Sequence, residues 1–252
     1  MKELLALSGI KMDLRNCDCM DLMKEFPDKY FDLAIVDPPY GILNKTKRGG
    51  DYKFNMKEYS KWDIKPDNDY FDELFRVSKN QIIWGGNYFG QLWARSQYNK
   101  GFIIWDKNQP ETLNNFAMAE MAWSSLDRPS KIFRYSVRKN RNKIHPTQKP
   151  TELYEWILKM YANPEDKILD THLGSMSSVI ACYDEKFDIT GSELDPDYFK
   201  AGIERVAKHT SDMIICKDEF EAERSLYQEY MRAIYEVENQ YHRAVDKIRR
   251  VK

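Results

Sequence analysis

Leu33-Ala34-Ile35-Val36-Asp37-Pro38-Pro39-Tyr40 is the stretch from which the rest of the chain can be read. Its four apolar residues read as a buried strand. The acid that follows then stands at the carboxyl end of a strand, the rim where open α/β sheets bind ligands. Two prolines fix the backbone beyond it, because proline locks its own φ and restrains the residue before it. Asp37 and the neighbouring carbonyls therefore point in set directions, with the Tyr40 ring beside them. A carboxylate, a backbone carbonyl and an aromatic face suit a planar base that carries an amino group. The two oxygens accept the amine hydrogens and the ring stacks on the base. A plain strand followed by a Pro-Pro turn fits the same residues, so the neighbouring motifs have to decide.

Working outward, Asp18 can cap a helix whose apolar positions are Met20, Leu22, Met23 and Phe26, which gives a strand–helix–strand unit of a parallel sheet. Further on, Lys167-Ile168-Leu169-Asp170 is a second short strand ending in an acid. The small-residue turn Thr171-His172-Leu173-Gly174-Ser175-Met176-Ser177-Ser178 follows and leads into a helix. Such a turn lets a ligand approach backbone N–H groups. Phe187–Glu193 is a third strand, and Glu193 lies about twenty residues beyond the turn, the spacing at which dinucleotide-binding folds hold ribose hydroxyls. Neither a Gly-x-Gly-x-x-Gly pattern nor a Walker A lysine pattern is present, which disfavours an ordinary dinucleotide enzyme and a P-loop NTPase.

Between these motifs, Tyr70–Val77 has the period of an amphipathic helix, and Gln81–Trp84 reads as a strand ending at Gly85-Gly86-Asn87. A helix is expected over 89–95 and extended segments over 101–105 and 118–123. Asp195-Pro196-Asp197 starts another helix. The polar stretch 41–66 follows the Asp-Pro-Pro-Tyr turn directly and carries Lys45, Lys47 and Arg48, so it is placed to close over a substrate. Residues 131–149 hold seven Lys or Arg and no acid, with Phe133 and Tyr135 interleaved. That is a local phosphate-binding candidate, set against an ordinary solvated basic loop. From about 219 an apolar stripe through Leu226, Tyr230, Val237, Tyr241 and Ile248 predicts a long amphipathic helix, which either packs on the domain or makes a homodimer.

The 252 residues suffice for one large α/β domain or two small ones. The 39 basic and 40 acidic residues leave a net charge of -1, so a nucleic-acid partner has to rest on a local patch. No run of eighteen apolar residues and no signal peptide is read, which argues against a membrane partner. Four cysteines without a Cys-x-x-Cys pair point to a reduced cytosolic chain, and no metal site is expected.

Taken together, these motifs in this order resemble the DNA amino-methyltransferases, which use S-adenosylmethionine to methylate an exocyclic amine. The Asp-Pro-Pro-Tyr element precedes the cofactor turn, and His145-Pro146-Thr147-Gln148-Lys149-Pro150 lies between them, which is the permuted order of the family's beta group. The resemblance spans about residues 14–208. It implies a Rossmann-like α/β fold, a mostly parallel sheet with helices on both faces, with strands 32–36 and 167–170 adjacent at its centre. It also implies a catalytic domain over 1–210, a small target-recognition insertion over about 106–144 and a helical extension over 211–252. Asp37 and the carbonyl of Pro38 or Pro39 would bind the target amine, with Tyr40 stacked on the base. Asp170, His172, Gly174, Ser175 and Ser177 would surround the methionine end of the cofactor. Glu193 would hold its ribose, Asp18 and Cys19 would lie near its adenine, and Asp37 and Lys149 would line its pocket. Double-stranded DNA would meet Lys45, Lys47, Arg48, Lys131, Arg134, Arg138, Lys139, Arg141 and Lys143. An acid at the first position of the turn favours the N6 amine of adenine over the N4 amine of cytosine. An RNA amine or a DNA-binding homologue with weakened catalysis are the other readings. The family setting is a bacterial or phage-encoded cytoplasmic protein associated with the nucleoid, of the restriction–modification type. One departure stands out. The family's usual turn is Asp-Pro-Phe-x-Gly-Ser-Gly, whereas here Thr171-His172 replaces Pro-Phe and Met176 stands at the second glycine. A side chain there is expected to crowd the methionine end of the cofactor or to force a different backbone angle.

Overall fold

In the computed structural model, residues 2–7, 9–42, 63–95, 101–109, 117–136 and 143–210 are described. The fold set out below is that of the compact unit Met1–Val206. The expected helix beyond 211, and with it the homodimer, lies outside the described residues.

Nine strands make one sheet: β1 (Lys2–Leu7), β2 (Ile10–Asn16), β3 (Phe31–Val36), β4 (Ser78–Trp84), β5 (Phe102–Asp106), β6 (Ala119–Ser124), β7 (Lys131–Arg134), β8 (Ile168–Asp170) and β9 (Ile189–Glu193). Their order is β1-β2-β9-β8-β3-β4-β6-β5-β7. The stretch β2-β9-β8-β3-β4 is parallel throughout. β3 is the middle strand of the nine, with Leu33 and Ala34 opposite Ile168 and Leu169 on one side and Val36 opposite Ile83 on the other. The adjacency expected for these two strands is therefore present. Leu33, Ala34, Ile35 and Val36 are all buried, the continuous apolar run of a strand covered on both faces.

The handedness of crossovers decides which face each helix covers. α1 (Cys19–Lys24) links β2 to β3 and α2 (Asn68–Val77) leads into β4, both moving the same way across the sheet. α5 (Ser177–Glu185) links β8 to β9 and moves the other way. Right-handed connections then put α1 and α2 on one face and α5 on the other. Leu22 and Met23 of α1 and Phe71 and Leu74 of α2 join Ala34 and Val36 in one cluster, while Leu33 and Ile35 alternate to the opposite face. α4 (Thr151–Tyr161) packs against α5, and α6 (Pro196–His209) follows β9. The direction of winding reverses between β8 and β3, so the switch point of the fold lies between the ends of those two strands.

Three features differ from the sequence expectations. A hairpin, β1–β2, opens the chain and adds an antiparallel strand beyond the βαβ unit. Residues 131–134 form the edge strand β7, paired with β5, because Phe133 packs on Trp156 of α4 rather than standing in solvent. The segment 89–95 is helical only over the single turn α3 (Leu92–Arg95), which a 3-10 turn, Gly86–Tyr88, precedes. Among the described residues no helix is long and apolar enough to cross a membrane.

Candidate active site

One cavity of about 1550 Å³ opens at the carboxyl ends of β2, β3, β4 and β9 and is roofed by residues 143–149. Pockets for single small ligands run to roughly 1,000 Å³, so this one has room for two partners side by side.

At the β3 end the sequence carries a carboxylate into a buried position and charge pairing holds it there. Asp37 accepts a hydrogen bond from the Tyr40 hydroxyl at 2.5 Å through Oδ1 and one from Lys149 Nζ at 2.5 Å through Oδ2. The Lys149 ammonium is almost completely buried and also reaches Glu120 Oε2 at 3.1 Å. Glu120, on β6, is bonded through its other oxygen to Lys107 at 2.6 Å. Burial alone would raise the Glu120 carboxyl, but the Lys149 and Lys107 ammonium groups outweigh it and hold it at about 2. Burial works against the Lys149 ammonium, and Asp37 and Glu120 together overcome that and raise it. The Tyr40 ring lies against Gly85. A Cβ there would sit 2.2, 2.5 and 2.6 Å from three successive ring atoms, near-equal distances that place it over the ring face. Only glycine permits that approach, and its φ of 71° suits glycine as well. Tyr88 stacks on Tyr40 with centroids 5.0 Å apart and remains 39 % exposed in the cavity wall.

The β8–β9 end is built differently. Asp170 does not line the cavity. It lies behind the turn, where Oδ1 accepts the His172 N–H at 3.0 Å and Oδ2 the Ser178 hydroxyl at 2.5 Å. Burial pushes this carboxyl up to about 7 in spite of those bonds. Gly174 has φ 48° and donates its N–H to Glu193 Oε2 at 2.8 Å, while Glu193 Oε1 takes the Asp195 N–H at 2.9 Å. Burial raises this carboxyl against the backbone N–H groups of Asp195, Gly174 and Leu194, and of its roughly four lone-pair sites one stays for a further donor. The Tyr70 hydroxyl, Thr171 Oγ1 and His172 Nδ1 form a chain of 2.7 and 2.9 Å. Burial brings His172 down to about 4, so a neutral imidazole faces the cavity at neutral pH. His145 is likewise brought to about 4 by burial and packs on Tyr198 and over Gly174. Ser175 and Ser177 line the wall, fixed from behind by Arg205, which donates to the Ser175 carbonyl and to Ser177 Oγ. Asp18 caps α1 through the Met20 N–H, and the Cys19 thiol beside it is pushed up to about 12 by burial.

Met176 resolves the departure from the family's turn. Its φ of 57° is the left-handed conformation that a glycine would take. Its side chain is fully buried against Gly202 of α6 and does not line the cavity. Its side chain thus turns into the core and away from the cavity.

The sequence motifs at Asp37–Tyr40, Asp18–Cys19, His172–Ser177 and Glu193 thus converge on one cavity. Glu120, Lys107, Tyr88 and Arg205 join them unannounced by any motif. A charged residue inside the extended segment 118–123 was the available signal for Glu120, since a buried carboxylate requires a partner. In the basic stretch, Lys131 is exposed on the edge strand, Arg134 pairs with Asp106, and Lys143 lines the cavity. Lys45, Lys47, Arg48, Arg138, Lys139 and Arg141 lie outside the described residues.

A largely parallel sheet with a carboxylate–tyrosine turn on one side of its switch point and a small-residue turn with a paired acid on the other has the layout of an α/β enzyme with its cavity at the switch point. The chain belongs to the DNA methylase family of N6 and N4 methyltransferases, whose profile matches residues 77–204, just over half of its length. The Asp-Pro-Pro-Tyr turn precedes the matched residues. The type II methyltransferase M.HpaI of Haemophilus parainfluenzae is 24% identical over 227 residues, covering 73% of this chain and 70% of that protein. Among solved structures, the M1.HpyAVI–SAM complex aligns with a TM-score of 0.54 at 20% identity over 77% of this chain and 99% of the other. The cytosine-N4-specific PvuII DNA methyltransferase aligns at 0.56 and 14% identity over 88% and 93%. At these identities the structures speak for the fold.

Proposed function

We propose that the protein transfers a methyl group from S-adenosylmethionine to the exocyclic N6 amine of adenine in double-stranded DNA. The observation that carries this reading is the Asp37–Tyr40 turn standing across one cavity from the Gly174–Glu193 turn, at the switch point of the sheet. The residues fit the cofactor: Glu193 has a lone-pair site left for a ribose hydroxyl, and Gly174, Ser175, His172 and Ser177 line a wall beside it. Asp18 and Cys19 lie on the same cavity wall, suited to the adenine end. When bound, S-adenosylmethionine supplies an electrophilic methyl group on a sulfonium.

The protein's own part is to make an aryl amine nucleophilic and to place it. The amine lone pair is delocalised into the base, which makes it a poor nucleophile. Asp37 and the carbonyl of Pro38 or Pro39 accept its two N–H bonds and favour a pyramidal nitrogen whose lone pair is free. Methyl transfer would break the sulfonium's S–CH3 bond as the C–N bond forms, leaving a neutral thioether, and the amine proton, acidic once the methyl arrives, would pass to the Asp37 carboxylate. Holding both partners in one crevice supplies proximity and orientation. In a duplex the amine is base-paired, so the nucleotide is extruded and its base stacks on the aromatic wall. Lys131, Arg134 and Lys143, with Lys45, Lys47, Arg48, Arg138, Lys139 and Arg141, would meet phosphates and so position the duplex without reading it. This reading places the protein in a bacterial cytoplasm, where DNA and the cofactor meet.

Adenine is favoured over cytosine by the acid at the first position of the turn. The test is incubation with S-adenosylmethionine and unmethylated DNA, then mass spectrometry of the nucleosides. N6-methyladenine is expected. N4-methylcytosine alone would move the reaction to the other base, methylated RNA alone would replace the substrate, and DNA binding without either would remove catalysis.

A further inference from the structure

Both oxygens of Asp37 already hold a donor. Tyr40 occupies Oδ1, and Lys149 Nζ occupies Oδ2 at 2.5 Å, offering N–H groups to the carboxylate as a substrate amine would. The same ammonium has a second acceptor, Glu120 Oε2, at 3.1 Å, and it lies over the Trp84 ring with 5.2 Å to the centroid. A lysine terminus can swing between two acceptors that close without leaving the buried site. Glu120 is held in place for it by Lys107.

We infer that Lys149 is a placeholder for the target amine, resting on Asp37 when the amine is absent and handed to Glu120 when it arrives. This inference rests on the function proposed above. Glu120 is then a positioning residue for the reaction, although it touches neither the amine nor the methyl donor. The two carboxylates and two ammonium groups balance in charge before and after the exchange. A neutral amine therefore enters without any charge moving into or out of the buried site, where an unpaired ion would be costly. A purely structural ion pair gives no reason for the arrangement to end on Asp37, since apolar residues of similar volume hold a fold at least as well.

The handover predicts a rescue. In E120Q the neutral amide is a weak second acceptor, so Lys149 stays on Asp37. Single-turnover methyl transfer should fall by roughly 30- to 100-fold, the upper range of coupling within one ion-pair network. Affinity for S-adenosylmethionine by calorimetry should be unchanged. Adding Lys149→Met removes the occupant and the second charge together, and the double variant should regain at least about tenfold over E120Q, a sign of coupling that independent sites do not show. A double variant as slow as E120Q, or slower, would overturn the inference, because Lys149 would then be needed on Asp37 during transfer. If E120Q does not fold, E120D keeps the charge at shorter reach, and a smaller loss relieved by the same second change is expected. No relief there overturns the inference equally. The wild type separates this inference from the function it rests on. Without methyl transfer by the wild type both fail, whereas wild-type transfer with no rescue sinks the placeholder alone.

Discussion

At the β3 end of the cavity Asp37, Glu120 and Lys107, each half-buried, form a continuous run of ion pairs through the buried Lys149 ammonium. At the β8–β9 end the wall is made of two imidazoles kept neutral by burial, serine hydroxyls and Glu193, whose oxygens take the Gly174 and Asp195 N–H groups, with a buried acid behind the turn. The contrast follows from what each end has to do. An amine that gains a methyl group gives up a proton, so its binding place needs charges that can be rearranged. On the same reading a nucleoside-like ligand keeps its protons throughout, so its place can be fixed by shape and by one acid held still by backbone N–H groups.

That contrast can be tested by removing a charge from each end. The largest effect is expected for Asp37→Ala, which should lower single-turnover methyl transfer by about 10²–10⁴-fold, the usual weight of a positioned proton acceptor. Calorimetric affinity for S-adenosylmethionine should stay within a factor of about three, since a neighbouring site without shared partners is nearly independent. An equal loss of cofactor binding would show that the two ends are one site. Glu193→Ala should do the reverse and weaken cofactor binding by about 1.5–3 kcal/mol, the worth of hydrogen bonds to a charged group. An unchanged dissociation constant would count decisively against the ribose role.

The smallest effect concerns the acid behind the turn. Burial raises Asp170 to about 7, so the folded protein takes up its proton well above the unfolded carboxyl, which titrates near 3.8. Its contribution to stability is complete below about pH 4 and is lost as pH rises to about 7. Asp170→Asn can keep the bond from the His172 N–H and make the other by donating Nδ2 to Ser178 Oγ, without titrating. The wild-type melting temperature minus that of the variant should fall between pH 4 and 7 and level off above. The buried histidines are common to both proteins and cancel in the difference. A difference that does not vary with pH would mean that the carboxylate stays ionised in the fold.

The parts of the site that were legible in sequence are those held within one short segment. Asp37–Tyr40, Gly174–Ser177 and Glu193 each end a strand, and a strand end in a parallel sheet has only one rim to face. What was not legible depends on pairing across the sheet. Glu120 meets Lys149 only because β6 runs antiparallel to β4 and brings its cavity-facing residue beside residues 143–149. Lys149 could be assigned to the cavity from its motif, but its ammonium lies on Asp37, and no local pattern gives that direction. Asp170 was placed at the right strand end, yet its carboxylate bonds to its own turn, because two donors there, the His172 N–H and the Ser178 hydroxyl, already claim both oxygens. The hairpin β1–β2 and the edge strand β7 escaped for a related reason, since their place is fixed by a neighbour and not by their own periodicity.

Met176 and Gly202 carry a consequence for how such a turn can change over time. The Met176 side chain fills space that a Cβ at Gly202 would invade, at 2.7 Å from Met176 Cγ. The two residues divide a single volume between a turn and a helix. Replacing Met176 by glycine would restore the ordinary motif but leave a hole under α6, while enlarging Gly202 alone would collide with the methionine. The conservative path from one arrangement to the other is an exchange, with glycine at 176 and a larger apolar residue at 202. A search that insists on glycine in this turn therefore passes over chains that have moved the same bulk to the other side of the contact.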